Sequence, residues 1–120
     1  MMYKKAMSFK DYAVAESILN TDDAAEIKAL GRSVSDYNEN YWNGIRQITV
    51  YEGLTAKFTQ NEALRQGLKS TGKAILAECA VKDKIWGIGL SMDSPERLEP
   101  DKWKGQNLLG YALMMVREKL

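Results

Sequence analysis

Between Glu78 and Gly110 the chain gathers two of its three tryptophans and four of its nine glycines. The stretch reads Glu78-Cys-Ala-Val-Lys-Asp83-Lys-Ile-Trp86-Gly87-Ile-Gly89-Leu90. A polar link follows, then Trp103-Lys-Gly105-Gln-Asn107-Leu-Leu-Gly110. Large aromatic rings beside glycines fit a pocket wall that backbone approaches closely. No other part of the chain combines apolar, flexible and chemically competent residues so densely.

The remaining pattern is helical. Met2, Ala6, Met7 and Phe9 share one helical face, and Asp11 is placed to cap a second helix over 11–19. Asn20-Thr21-Asp22-Asp23 reads as a turn that caps a helix over 23–31, with Gly31 as its stop. Asp36 opens a long helical stripe through Tyr41, Trp42, Ile45, Ile48, Val50, Tyr51, Leu54 and Phe58, to about residue 59; a strand at Ile48–Tyr51 is its rival. Asn61 opens a further helix, which Thr71-Gly72 closes. The segments 74–80 and 85–90 read as short strands. Ser91 to Lys102 is a loop with both prolines, and a last helix runs from about 106 to 120. The predicted class is a mainly α, multihelical single domain with a few short β segments.

Composition removes several kinds of chemistry. There is no histidine, so His-based catalysis and His-ligated metal are excluded. The lone Cys79 excludes an internal disulfide and a multi-cysteine metal site, and reads as an inert thiol. A net charge of +1 gives no strong nucleic-acid footprint. No run suits a membrane span and no signal peptide shows, so a reducing, cytoplasmic setting is the expectation. No cofactor and no metal are implied.

Each candidate site residue carries a structural and a chemical reading. Glu78 and Asp83 flank a turn; either is a surface acid beside Lys82 or Lys84, or a general acid set against Trp86. Trp86 with Gly87 is a stacking wall, or a core residue beside a bulge. Gly105 and Asn107 precede a helix, where free N–H groups suit a phosphate; Asn107 is otherwise an N-cap. Lys5 is a solvated lysine or a nucleophile, and Arg32 binds an anion or a helix C-terminus. Tyr41 and Trp42 read as core or pocket floor.

Taken in order, a set of motifs resembles the YbiA-like, or NADAR, domain family. They are Tyr3-x-Lys5-Ala6, Ala29-Leu30-Gly31-Arg32, Lys57-Phe58-x-Gln60-Asn61, Thr71-Gly72, Glu78-x4-Asp83-x2-Trp86-Gly87-Ile88-Gly89-Leu90 and Trp103-x-Gly105-x-Asn107-Leu108-Leu109-Gly110. Leu113-Met114-x-Val116-Arg117 also fits. The resemblance covers essentially the whole of residues 1–120. It implies N-glycosidic chemistry on ribose phosphates. The substrates it implies are phosphoribosylamino-pyrimidine intermediates of riboflavin biosynthesis, or ADP-ribose on guanine in nucleic acid. On this resemblance Lys5, Asp83 and Glu78 are catalytic candidates. Trp86 and Gly87 meet the base, Trp42 lines the pocket, and Arg32, Gly105 and Asn107 hold phosphate. It favours the chemical reading for Lys5, Asp83 and Trp86 and leaves both readings open for Glu78 and Arg32.

The chain also departs from the family pattern. That pattern has a further upstream segment, with a glutamate ahead of the first-helix tyrosine, so the chain reads as N-terminally truncated. A second hypothesis follows: a non-catalytic module binding ADP-ribose or another nucleotide, or an inactive remnant, completed by a partner chain. The apolar start at Met1, Met2 and Met7 adds a third, self-association through the first helix.

Overall fold

The computed structural model describes residues 1–120 and contains six α-helices and no strand. The helices are α1 (Met2–Ser8), α2 (Tyr12–Leu19), α3 (Ala24–Arg32), α4 (Glu39–Thr59), α5 (Glu62–Ser70) and α6 (Leu108–Lys119). The chain forms two compact units, Met1–Thr49 and Val50–Leu120, and the boundary falls within α4. No helix is long and apolar enough to cross a membrane.

In the first unit, Ala6, Ala15, Ile18 and Val34 form a buried cluster, with Met2, Phe9, Ile27 and Leu30 packed on it. Lys10 turns the chain between α1 and α2 in a left-handed conformation (φ 59°). Asp11 caps α2 by accepting the Val14 N–H at 3.2 Å. Its other oxygen accepts the Ser35 N–H at 2.8 Å and fixes the loop after α3. Asp23 caps α3 through the Ala25 N–H.

Gly31 does not stop α3, which continues to Arg32. The glycine is buried under the Met2 thioether, which a Cβ there would overlap, so it lets the Met2 side chain of α1 pack directly on α3. Nor does Asp36 open α4. It sits in a left-handed turn (φ 56°), and α4 starts at Glu39 with Asn38 accepting the Tyr41 N–H at 2.9 Å. The segment Ile48–Tyr51 is helical throughout.

In the second unit, Asn61 caps α5 by accepting the Leu64 N–H, and Gly72 follows the helix in a left-handed turn (φ 62°). Arg117 on α6 donates to the Thr71 hydroxyl at 2.7 Å and ties α6 to the end of α5. Leu68, Ile88, Leu90 and Val116 are its buried apolar residues. The loop 91–102 contains two short 3-10 turns, each started by a proline. The expected strands at 74–80 and 85–90 are not formed. Apart from one bond between them, from the Ile88 N–H to Glu78 O, the backbone of these segments bonds mainly to residues 104–109 and to one asparagine side chain, so no ladder arises.

Candidate functional site

The tryptophan- and glycine-rich stretch is a loop folded onto a helix end. Asp83 starts it: Oδ1 accepts the N–H groups of Ile85 at 3.0 Å and Trp86 at 2.8 Å. This side-chain bond to backbone two and three residues on is a local turn device. It aligns the next four carbonyls. Lys84 O accepts from Gln106 N–H at 2.8 Å, Gly87 O from Asn107 at 3.0 Å, and Ile85 O and Trp86 O from Leu108 and Leu109 at 3.1 Å each.

These bonds correct the phosphate reading of Gly105 and Asn107. A helix start binds anions through N–H groups that lack partners. Here the four N–H groups from Gln106 to Leu109 all donate to the carbonyls of residues 84–87. Gly105 serves a different need. A Cβ on it would overlap the Gly87 carbonyl oxygen and lie 2.9 Å from Lys84 Cα, so glycine permits the backbone crossing. Gly87 is equally confined, with the Asp83 and Glu78 carbonyl oxygens at 2.8 and 2.9 Å from a Cβ position.

Asn107 is buried with 0% exposure and adopts a left-handed backbone (φ 54°). Its Oδ1 accepts the Glu78 N–H at 2.9 Å and its Nδ2 donates to Leu76 O at 2.8 Å. The amide therefore holds the 76–78 segment. It does not cap α6 and presents no polar atom to a ligand.

Glu78 is fixed through its backbone on both sides, since its carbonyl accepts the Ile88 N–H at 2.8 Å. Its side chain is exposed, whereas Asp83 and Trp86 are half-buried. Neither acid forms an ion pair with Lys82 or Lys84; the one ion pair formed joins Lys102 to Glu99. The second unit therefore groups Glu78, Asp83, Trp86, Gly87, Gly105 and Asn107 in one hydrogen-bonded assembly.

The first unit holds Lys5, Arg32 and Trp42. Lys5 Nζ lies 4.6 Å from the centroid of the Tyr37 ring. Phe9 packs against Tyr37 at 5.4 Å and edge-on to Tyr41 at 5.5 Å, which makes a three-ring cluster beside the amine. Burial, and then the positive charge of Arg32, lower the Lys5 pKa below the ordinary lysine value of 10.5. Arg32 itself is exposed in the last turn of α3. Trp42 is one of the buried core residues, at 7% exposure. Tyr41 is 52% exposed and is not core. Sequence reasoning missed Tyr37 and Phe9 beside the lysine. The one signal for them was an aromatic pair four apart, Tyr37 and Tyr41, at a helix start. No group of three metal-ligating side chains is gathered.

Comparison with known proteins adds an independent line. The NADAR domain pattern matches residues 1–120. N-glycosidase R617 of Acanthamoeba polyphaga mimivirus is 39% identical over 119 residues, which cover 99% of this chain and 70% of the relative. Riboflavin biosynthesis protein VVA0006 of Vibrio vulnificus is 34% identical over 118 residues, 98% of this chain and 29% of that protein. N-glycosidase YbiA of Escherichia coli is 31% identical over 118 residues, 98% of this chain and 67% of that protein.

Proposed function

Because the chain belongs to the NADAR domain family, we propose that it is an N-glycosidase acting on a ribose-phosphate or ADP-ribose derivative. The observation that carries this reading is the family match over residues 1–120, joined to two relatives named N-glycosidases. A riboflavin-pathway intermediate is one substrate class, in keeping with the name of the Vibrio relative. ADP-ribosylated guanine, free or in nucleic acid, is the other. The proposed setting is the cytoplasm, where Cys79 stays a free thiol.

Lys5 supplies the chemistry directed at the sugar. An amine must be unprotonated to attack, and both burial and the neighbouring Arg32 favour that form. The Lys5 nitrogen bonds to C1 of the ribose as the C1–N bond to the base breaks. The bonding pair goes to the base nitrogen, which takes a proton. Water then cleaves the lysine adduct, frees the amine and leaves the ribose phosphate, so one water is consumed per turnover. Arg32 offers a guanidinium for phosphate beside that amine. In the second unit the candidates for proton transfer to the base are the carboxyl groups of Glu78, with both oxygens free of protein partners, and Asp83, with one oxygen committed to its loop.

The test is release of base from a phosphoribosylamino-pyrimidine and from an oligonucleotide carrying ADP-ribosylguanine. Lys5→Ala and Glu78→Ala should abolish release while circular dichroism keeps the native helix signal; Asp83→Asn, which keeps an oxygen acceptor for its loop, tests the second acid. The Lys5 adduct can open its sugar ring, the C1–O bond breaking as C1=N forms and the ring oxygen taking the proton lost from the amine, and borohydride should reduce that imine to a stable secondary amine on Lys5. Unchanged release in both alanine variants would overturn the assignment. A second reading is a module that binds ADP-ribose without turning it over. Calorimetric binding without base release would support it.

A further inference from the structure

Residues 74–80 belong to no helix and no strand, and Leu76 to Glu78 runs extended, with Leu76 O and the Glu78 N–H turned to the same asparagine amide. In extended chain, the N–H and C=O groups of successive residues point to opposite edges. One edge is occupied: Leu76 O and the Glu78 N–H bond to Asn107, and Glu78 O bonds to the Ile88 N–H. The other edge carries the N–H and C=O of Ile75 and Ala77. None of those four groups has a partner, and both residues are exposed. The segment 74–80 holds no lysine and no proline, and Glu78 is its one charged residue.

The side chains follow the same alternation. Ile75, Ala77 and Cys79 line one wall of a cavity of about 280 Å³, with Met92, Arg97 and Trp103 among the facing residues. The far wall is braced: Trp103 Nε1 donates to Arg97 O, and Arg97 Nη1 donates to Ser94 O, each at 2.9 Å. The remaining N–H groups of Arg97 are left as the one charged feature of an apolar lining. Ile75 and Met92 are 61% and 67% exposed, so the cavity opens to solvent along the free edge.

We propose that this edge docks an extended strand from another polypeptide, with apolar side chains at alternate positions and one acidic residue facing Arg97. Backbone donors and acceptors repeated every second residue match a peptide, which offers the same repeat. An apolar small molecule would fill the cavity without using those four groups, which would stay bonded to solvent. Antiparallel pairing with the same edge of a second copy would bring two Arg97 guanidinium groups to one cavity line, a like-charge arrangement. A strand carrying an acid avoids that repulsion.

The probe is a panel of labelled seven-residue peptides alternating valine and threonine, with aspartate replacing each valine in turn. At least one should bind the full chain by fluorescence anisotropy. Methylating the two backbone nitrogens that face the edge should weaken binding about tenfold or more, because it removes backbone bonds and leaves the side chains intact. Hydrogen exchange should slow at Ile75 and Ala77. Arg97→Glu should weaken the aspartate peptide and favour the lysine equivalent. Three results would overturn the proposal: no binding across the panel at about 1 mM, equal binding of the methylated peptide, or protection confined to other residues. A concentration-dependent dimer that protects the same two amides without peptide would also overturn it, by giving the edge to a second copy.

Discussion

Asn107, the residue that precedes α6, holds Glu78 by its backbone, accepting the Glu78 N–H at 2.9 Å from a site with no exposed surface. The same amide donates to Leu76 O, so one side chain satisfies two backbone groups. Asn107→Ala orphans both, and it also places alanine at φ 54°. Two unsatisfied groups at about 1–3 kcal/mol each put the loss near 3 kcal/mol or more. Asn107→Gly orphans the same groups without the left-handed strain and should be about 1 kcal/mol less destabilised. Urea denaturation of both variants measures the difference. Equal midpoints would show that the backbone conformation contributes nothing.

The glycines divide into two classes with opposite predictions. A Cβ on Gly110 would overlap the Leu76 carbonyl oxygen and sit 2.5 and 2.6 Å from the two polar atoms of the Asn107 amide. Gly110→Ala should therefore cost about 3 kcal/mol or prevent folding of the second unit, as overpacking against rigid backbone does. Gly53 and Gly67 lie inside α4 and α5 with nothing within 4 Å of a Cβ position. Alanine at either should stabilise by about 0.5–1 kcal/mol. Thermal melting of the three single variants should split them by sign.

Local devices were legible in the sequence, and long-range ones were not. Asp11, Asp23 and Asn61 were identifiable as caps because their bonds reach only two or three residues ahead. Gly31 was read as a stop because a glycine that ends a helix and one that lets Met2 approach look identical in a single sequence. The 74–80 and 85–90 segments have strand composition, yet their partners are Asn107 and the α6 start, some 20 to 30 positions away. For the same reason the α6 start looked like an anion site: its position was visible, but not that the 84–87 carbonyls already occupy it. Lys5 stood out by family resemblance, whereas its pairing with Tyr37 depends on a turn that folds back.

Lys5 responds to two neighbours of opposite effect. Arg32 disfavours its ammonium form, and the Tyr37 ring face favours it. Arg32→Ala should raise the Lys5 pKa, and Tyr37→Leu should lower it further. The pH dependence of Lys5 modification by trinitrobenzenesulfonate, followed by mass spectrometry, reads both shifts. The linked stability has a definite sign. With a folded pKa below 10.5, the unfolded chain binds the proton more tightly. Lys5 thus detracts from stability at neutral pH and ceases to do so as pH rises through the window up to 10.5. No change on Arg32→Ala would show that the guanidinium does not act on the amine.

Asp11 gives the opposite dependence. The Ser35 N–H, and then the Val14 N–H, hold its carboxyl below the ordinary value of 3.8. A carboxylate with a depressed folded pKa adds stability above its unfolded value, and loses it as pH falls through the folded one. The window therefore lies below 3.8. Asp11→Asn keeps an oxygen acceptor but removes the proton linkage. The stability gap between wild type and Asp11→Asn should be widest near pH 7 and should close as the wild-type carboxyl protonates. Urea midpoints at a series of pH values, read from a helix signal of the first unit, follow that closure. A gap that stays constant into acid would mean that Ser35 and Val14 bind the protonated carboxyl as tightly as the carboxylate.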